Sequence, residues 1–422
     1  MKHAIISVAL GLSLLFANGG IVYAQDFNKG LEAAQKGDFA TALNEWRPLA
    51  QQGDADAQYN LGSMYGNGQG VTQDFTEALK WYRLSAAQGN ANAQFNLGVS
   101  YFQGAGVSRD YTEAVRLYRL AAEQGNADAQ FNLGTMYENG EGVSQDYKEA
   151  VRLYRLAAVQ GNAVAQTNLG TMYESGQGVS QDYTEAVRLY RSAAAQGNSM
   201  AQANLGSMYD QGRGVTQDFT EALKWYRLSA AQGNANAQFN LGTMFDQGRG
   251  VRQDLSEALR WYSLSAAQGT SVAQFNLGTM YGTGRGVTQD YIEALKWYRL
   301  SAAQGNANAQ ASLGTMYLNG EGIIRNDIYA HMWLSLAASS GNLNTLKNRD
   351  LVAKRMTEAD ISKAQNLARE CVRKNYKDCG SSGLAEDVNG LEWKDFIGIL
   401  MLLVTVGIAT FAYSNLKRRT GG

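Results

Sequence analysis

Few side chains in these 422 residues are of types that do covalent chemistry. There are two histidines, His3 and His331, and two cysteines, Cys371 and Cys379. A nucleophile needs a base within hydrogen-bond reach, and a metal centre needs three or four converging His, Cys or carboxylate ligands. His331 has no second histidine or nearby cysteine in the sequence to work with, so it reads as a structural or surface residue. Carboxylates are plentiful, but they recur. Asp74, Asp110, Asp146, Asp182, Asp218, Asp254 and Asp290 return at a fixed interval, each followed three residues later by Glu. That is the pattern of an N-cap with a capping-box partner opening a helix. We therefore assign no catalytic, metal-binding or cofactor-binding residue, and read the chain as a non-enzyme.

The interval organises the whole molecule. A 36-residue unit starts at Gly53 and returns at Gly89, Gly125, Gly161, Gly197, Gly233, Gly269 and Gly305, giving eight copies over 53–340. A period of this length means stacked supersecondary units that share one core. In one copy Ala129, Leu133, Met136 and Tyr137 form one apolar stripe, and Ala150, Leu153, Tyr154, Ala157 and Ala158 form another. Both have helical spacing, so each unit predicts a helix-turn-helix. Gly140 and Gly142 mark the turn, and Gly125-Asn126 marks the passage to the next unit. Gly134 and its equivalents lie mid-helix, where glycine costs ~1 kcal/mol against alanine. Its recurrence predicts a helix crossing too close for a side chain. Most of the 47 glycines occupy these recurring positions, and Pro48 is the one proline.

The pattern A-x-x-x-L-G-x-M-Y-x-x-G-x-G-V-x-x-D-x-x-E-A-x-x-W/L-Y-x-x-A-A-x-Q-G resembles the Sel-one-like repeat, a relative of the tetratricopeptide repeat, in all eight copies. The resemblance implies an all-α fold, a right-handed α/α superhelical solenoid with capping helices at both ends. It also implies a non-catalytic adaptor in membrane-associated complexes.

The remaining segments frame that array. Residues 1–24, with Lys2 and His3 before an apolar run and Val22-Tyr23-Ala24 at its end, read as a secretory signal; an uncleaved anchor is the alternative. Residues 25–52 read as a capping helix pair, in which Pro48 is expected to end or kink the second helix. Residues 341–379 read as C-terminal capping helices, one starting near Thr357 and offering Ile361, Ala364, Leu367 and Cys371 to the last repeat. In an exported protein Cys371 and Cys379 would form a disulfide, two reduced thiols being the alternative. A straight helix would hold residues eight apart about 12 Å from each other, beyond the roughly 7 Å limit for a bridge. The chain must therefore turn back near 374–377. Residues 380–393 read as a linker and 394–416 as a transmembrane helix flanked by Trp393 and Tyr413, with a sorting helix later removed as the alternative. Lys417, Arg418 and Arg419 follow, which puts 417–422 in the cytoplasm and the repeats in the periplasm of a bacterial inner-membrane protein.

Within the repeats, several columns are candidates for binding. Tyr59, Phe95, Phe131, Phe239 and Phe275 share one position with Thr167, Ala203 and Ala311. They either pack between repeats or line a concave partner-binding surface. Asn60, Asn96, Asn132, Asn168, Asn204, Asn240 and Asn276 either bond a neighbouring loop backbone or grip an extended peptide. The column Gly66, Phe102, Glu138, Glu174, Asp210, Asp246, Gly282, Leu318 varies as an exposed position would. Arg83, Arg119, Arg155, Arg191, Arg227 and Arg299 are explained by a solvated outer face, a dock for an acidic partner being the alternative. Trp81, Trp225, Trp261, Trp297 and Trp333 fall on the buried stripe.

A net charge of −1, with no basic stripe interleaved with aromatics, argues against nucleic acid, and no small-molecule substrate is evident. The reading is an envelope scaffold that binds a protein or peptide and is held at the membrane by its C-terminal helix. The rivals are a binder or regulator of peptidoglycan or glycan, or of a cell-wall enzyme, and an enzyme on peptidoglycan or β-lactams of the kind suggested for cysteine-rich relatives. This chain lacks the repeat cysteines of those relatives.

Overall fold

The computed structural model describes residues 26–339, 341, 343–377 and 379, in two units. The first, ending at Leu153, holds α1 (Phe27–Gln35), α2 (Phe39–Gln51), α3 (Ala55–Asn67), α4 (Phe75–Ala87), α5 (Ala91–Gln103), α6 (Tyr111–Glu123), α7 (Ala127–Asn139) and the start of α8 (Tyr147–Val159). The second, from Tyr154, continues α8 and adds α9 (Ala163–Ser175), α10 (Tyr183–Ala195), α11 (Ser199–Gln211), α12 (Phe219–Ala231), α13 (Ala235–Gln247) and α14 (Leu255–Ala267). It ends with α15 (Ser271–Thr283), α16 (Tyr291–Ala302), α17 (Ala307–Asn319), α18 (Asp327–Ala338), α19 (Leu343–Ala353) and α20 (Glu358–Arg373). The described residues contain no strand. Odd-numbered helices α3 to α17 are the first helices of the repeats and even-numbered α4 to α18 the second. Each helix from α1 to α6 packs on the next in sequence, as does each from α9 to α18.

Local chemistry sets the helix ends. The Asn234 side chain accepts from Ala237 N and starts α13, and Asp218 Oδ1 accepts from Thr220 N and Glu221 N and starts α12. The capping box itself does not form. The Asp218 N–H is taken by the Tyr209 carbonyl at 3.0 Å, so Glu221 has no backbone donor to reach back to. Its carboxylate bonds Lys224 at 3.0 Å and Trp225 Nε1 at 3.1 Å instead. Gly250 has φ +66°, and a methyl group there would come within 2.6 Å of the Phe219 carbonyl oxygen. The turn of one repeat is thus pressed onto the start of the preceding repeat's second helix, a fit that excludes any side chain.

The core repeats as the helices do. Tyr118, Tyr190, Tyr226 and Tyr262 are among the largest fully buried side chains. Each ring lies across the mid-helix glycine of its own repeat; a methyl on Gly242 would sit 2.6 Å from Tyr262 Cδ1. At Pro48 the helix goes on. α2 runs through the proline to Gln51, because the lost N–H costs one bond in a helix whose last turn still closes, with Gln52 N donating to the Pro48 carbonyl at 3.0 Å.

At the C-terminal end α19 and α20 lie on α18. Thr357 caps α20 by accepting from Asp360 N, and Ala364 and Cys371 are buried, with Leu367 packed beside them. After Arg373 the backbone reverses through Asn375 and Tyr376, both at positive φ (50° and 62°). This brings the Cα atoms of Cys371 and Cys379 to 5.1 Å, and the two are joined in a disulfide. Among the described residues no helix is long and apolar enough to cross a membrane. The signal segment 1–24, the linker 380–393, the span 394–416 and the tail 417–422 lie outside them.

Candidate protein-binding face

Each first helix is covered on most sides and keeps one strip open, which in α13 is Phe239, Thr243, Asp246 and Gln247. The predicted aromatic column heads this strip. Tyr59, Phe95, Phe131, Phe239 and Phe275 are all half-buried, whereas Thr167 and Ala203 in the same column are buried. The rings do not simply fill the gap between repeats. Phe95 leans on Tyr118 of its own repeat at 5.8 Å between centroids and 37°, Phe239 on Tyr262 at 5.9 Å and 38°, and Phe275 on Tyr298 at 5.8 Å and 38°. Tyr59 stands 6.2 Å from Tyr82 in the same way. One edge of each ring is held by packing, and part of it faces solvent.

Where the asparagines bond, it is to a tyrosine hydroxyl of the preceding repeat and not to a loop backbone. Asn96 Nδ2 donates to the Tyr82 hydroxyl at 3.3 Å, and Asn168 Nδ2 to the Tyr154 hydroxyl at 3.4 Å. Asn132, Asn204 and Asn276 lie beside the equivalent tyrosine hydroxyls of Tyr118, Tyr190 and Tyr262. Burial pushes the Tyr118 hydroxyl up to about 12, the neighbouring Asn132 working weakly the other way.

Glutamine, two positions earlier, carries the buried amide. Gln58, Gln94, Gln130, Gln166, Gln202, Gln238, Gln274 and Gln310 are all buried. Gln274 Nε2 donates to the Ala266 carbonyl in the last turn of the preceding second helix at 3.1 Å. Its Oε1 accepts from Gln304 Nε2 at 2.8 Å. Each of the eight glutamines so ties its repeat to the preceding helix, and Gln58, Gln94, Gln166, Gln202, Gln238 and Gln274 are tied in turn by a glutamine 30 residues on. Sequence reasoning passed over them, although their column is unbroken while the asparagine column stops at Ser312.

Two further columns link one repeat to the next. The arginines are solvent-exposed as expected, Arg299 being half-buried, but they are also tied to the next repeat. Arg119 bonds the Tyr137 hydroxyl of the next repeat at 3.0 Å and Arg191 that of Tyr209 at 3.1 Å; where the partner is Phe245, Arg227 sits over its ring at 5.9 Å. The variable acidic column is half-buried, not exposed. Its carboxylates meet arginines from the next repeat's turn, Asp210 with Arg249 at 3.0 Å and Asp246 with Arg285 at 2.7 Å. Burial raises the Asp210 carboxyl by more than Arg249 lowers it.

Trp81, Trp261, Trp297 and Trp333 are buried and Trp225 is half-buried. His331 is buried too, its Nδ1 3.3 Å from Ser335 Oγ, and burial lowers its pKa. Among the described residues no group of three or more His, Cys, Asp or Glu is placed to hold a metal ion.

The Sel1 repeat matches the chain at 55–90, 91–126, 127–162, 163–198, 199–234, 235–270, 271–306 and 307–342. A Sel1 repeat protein from Oxalobacter formigenes is similar at 34% identity and a TM-score of 0.54, over 58% of this chain and 97% of that one. A protective antigen of uropathogenic Escherichia coli with an SLR fold is 31% identical over 87% of this chain and 95% of its own, at a TM-score of 0.46. Comparison with curated proteins gives no match.

Proposed function

From the finding that this chain belongs to the Sel1 repeat family, whose members are generally protein-interaction scaffolds, we propose that it binds a protein or peptide along its first helices without catalysing a reaction. The observation that carries this is the open strip. Phe95, Phe239 and Phe275 each present part of a ring whose pose is fixed by a buried tyrosine. Rings ordered before binding lose little freedom on contact, which is what an aromatic anchor requires. The charged groups around them are already matched, as Asp210 is with Arg249, which suits a dock better than a catalyst.

The two ends of the sequence support a setting for this activity. A secretory signal over 1–24 and an apolar stretch over 394–416 followed by Lys417, Arg418 and Arg419 fit a periplasmic array held at the bacterial inner membrane. There it would keep an envelope protein near the membrane.

Photocrosslinking in cells tests the reading, with the probe at Phe95, Phe131 or Phe239 and controls at Lys80 and Lys224 on the second helices. A discrete protein adduct at the strip positions, absent at the controls, is the expected result. Adducts at the controls alone would reject the strip as the binding surface.

A further inference from the structure

The eight copies also show where the chain departs from its own rule, and the departures gather around one place in the second unit. Near the end of each second helix stands a leucine: Leu84, Leu120, Leu156, Leu228, Leu264, Leu300 and Leu336. In the fourth repeat it is Ser192. Three residues earlier the first repeat and the last four have tryptophan, whereas the second, third and fourth have Leu117, Leu153 and Leu189. The fourth repeat alone has the smaller residue at both positions, and a cavity of about 240 Å³ opens beside them between α8, α9 and α10. Leu169, Leu189 and Ala158, all buried, line its apolar wall, and Ser192 stands beside them.

The rim of the cavity is apolar and exposed. Val159 is 85% exposed and Leu156 42%. Val164, at the start of α9, is 46% exposed in a column that is apolar also at Met200 and Val272 and reads Asp56, Asn92, Asp128, Asn236 and Asn308 in the other repeats. Clustered exposed aliphatics beside a hole mark an interaction surface more than a stable free face. The charge at the mouth is positive. Arg188 is bonded by Glu185 at 2.8 Å and 2.6 Å, but Arg155 has only the Tyr173 hydroxyl at 2.9 Å, and among the described residues no carboxylate.

We propose that this is a second, separate docking site: a socket for one apolar side chain, of leucine, methionine or phenylalanine size, from a partner protein that places a carboxylate beside it for Arg155. The size selects the occupant. Small-molecule sites usually enclose roughly 300–1,000 Å³, whereas a cavity of about 150 Å³ already takes a benzene ring. The exposed Val159 and Leu156 cover the stem of the inserted residue, and Arg155 gains the counter-charge it lacks. The site opens between the second helices α8 and α10, with Gln166 and Leu169 of α9 behind it, and shares no residue with the open strip of Phe95, Phe239 and Phe275.

The test pans a phage-displayed library of random dodecapeptides on the full chain in mild detergent, with Ser192→Leu as depleting competitor. Ser192→Leu restores the residue of the other seven repeats, so it should melt at or above the wild-type temperature by circular dichroism. Peptides that survive depletion are expected to carry an apolar residue within two positions of Asp or Glu. Synthetic copies, read by fluorescence anisotropy, should bind at least tenfold more weakly to Ser192→Leu and to Arg155→Glu, and unchanged to Ser192→Ala and Phe239→Ala. Arg155→Glu keeps the test open should Ser192→Leu fail to fold. Peptides that bind Ser192→Leu as well as the wild type would overturn the proposal, as would selected peptides without acidic residues. Wild-type self-association abolished by Ser192→Leu would overturn it in favour of a second copy of this chain.

Discussion

Gly206 of α11 lies directly beneath the ring of Tyr226 of α12: a methyl group on its Cα would stand 2.8 Å from Cδ1 and 2.9 Å from Cε1. The ring has nowhere to go, since Tyr226 is 1% exposed. Gly206→Ala should therefore destabilise the protein. Overpacking a filled core costs ~1–3 kcal/mol, against ~1 kcal/mol regained in helix propensity. Urea unfolding measures the balance, and the double change with Tyr226→Leu should recover most of the loss. A more stable Gly206→Ala would mean that the ring yields.

The buried glutamines should matter more than the asparagines beside them. Gln274→Leu removes two hydrogen bonds, one to the Ala266 carbonyl, which keeps the Gly269 N–H at 3.0 Å, and one from the exposed Gln304. Two bonds of ordinary net worth give a loss of ~1–3 kcal/mol. Asn276→Leu, at a half-buried position beside the Tyr262 hydroxyl, should cost less than ~1 kcal/mol, no more than the net worth of one hydrogen bond. Equal losses in denaturant melts would contradict the ranking.

His331 makes stability depend on pH in a defined direction. Burial, helped by Arg349 and opposed by Asp350, lowers its pKa from the usual 6.5. The folded protein keeps the ring neutral while the unfolded chain takes up the proton first. Its contribution is thus present above about pH 6.5 and is lost as pH falls from there toward the folded pKa. Thermal melts of wild type and His331→Gln should diverge less at pH 5.5 than at pH 7.5. A gap that widens on acidification would show the sign to be reversed.

The disulfide should act locally. Cys379→Ser opens a loop of eight residues, for which the chain-entropy treatment gives at most ~2–3 kcal/mol. Hydrogen exchange should quicken in α20, where Cys371 is buried against α18, and stay unchanged in α3 to α7. Exchange that quickened throughout would mean that the bridge acts on more than the C-terminal cap.

Much of this was legible in the sequence because repetition isolates what every unit needs. Asn and Asp caps, turn glycines and the two apolar stripes gave the helices, and the mid-helix glycine gave the close crossing. The site was harder to read. Glutamine and asparagine stand two residues apart on one helix, and periodicity does not say which one faces the neighbouring repeat. The acidic column varies and so looked exposed, yet it varies together with a second column 39 residues on, as Asp210 with Arg249 and Asp246 with Arg285. Ser192 was visible as an exception. That it opens a cavity depends on Leu189 and Leu169 lying behind it, which only the packing reveals.

The glutamine ties also bear on how such chains change in length. Gln238 reaches the Ala230 carbonyl and Gln274 the Ala266 carbonyl, each across eight residues. Were 235–270 excised and Asn234 joined to Ser271, Gln274 would stand eight residues after Ala230, and the same bond could close. Recombination between near-identical segments, whenever it slips by a whole 36-residue period, therefore hands each donor an equivalent acceptor. A slip of any other size leaves every junction facing the wrong way. The length of the array is free to drift across generations in steps of one repeat, while the register of each step is fixed.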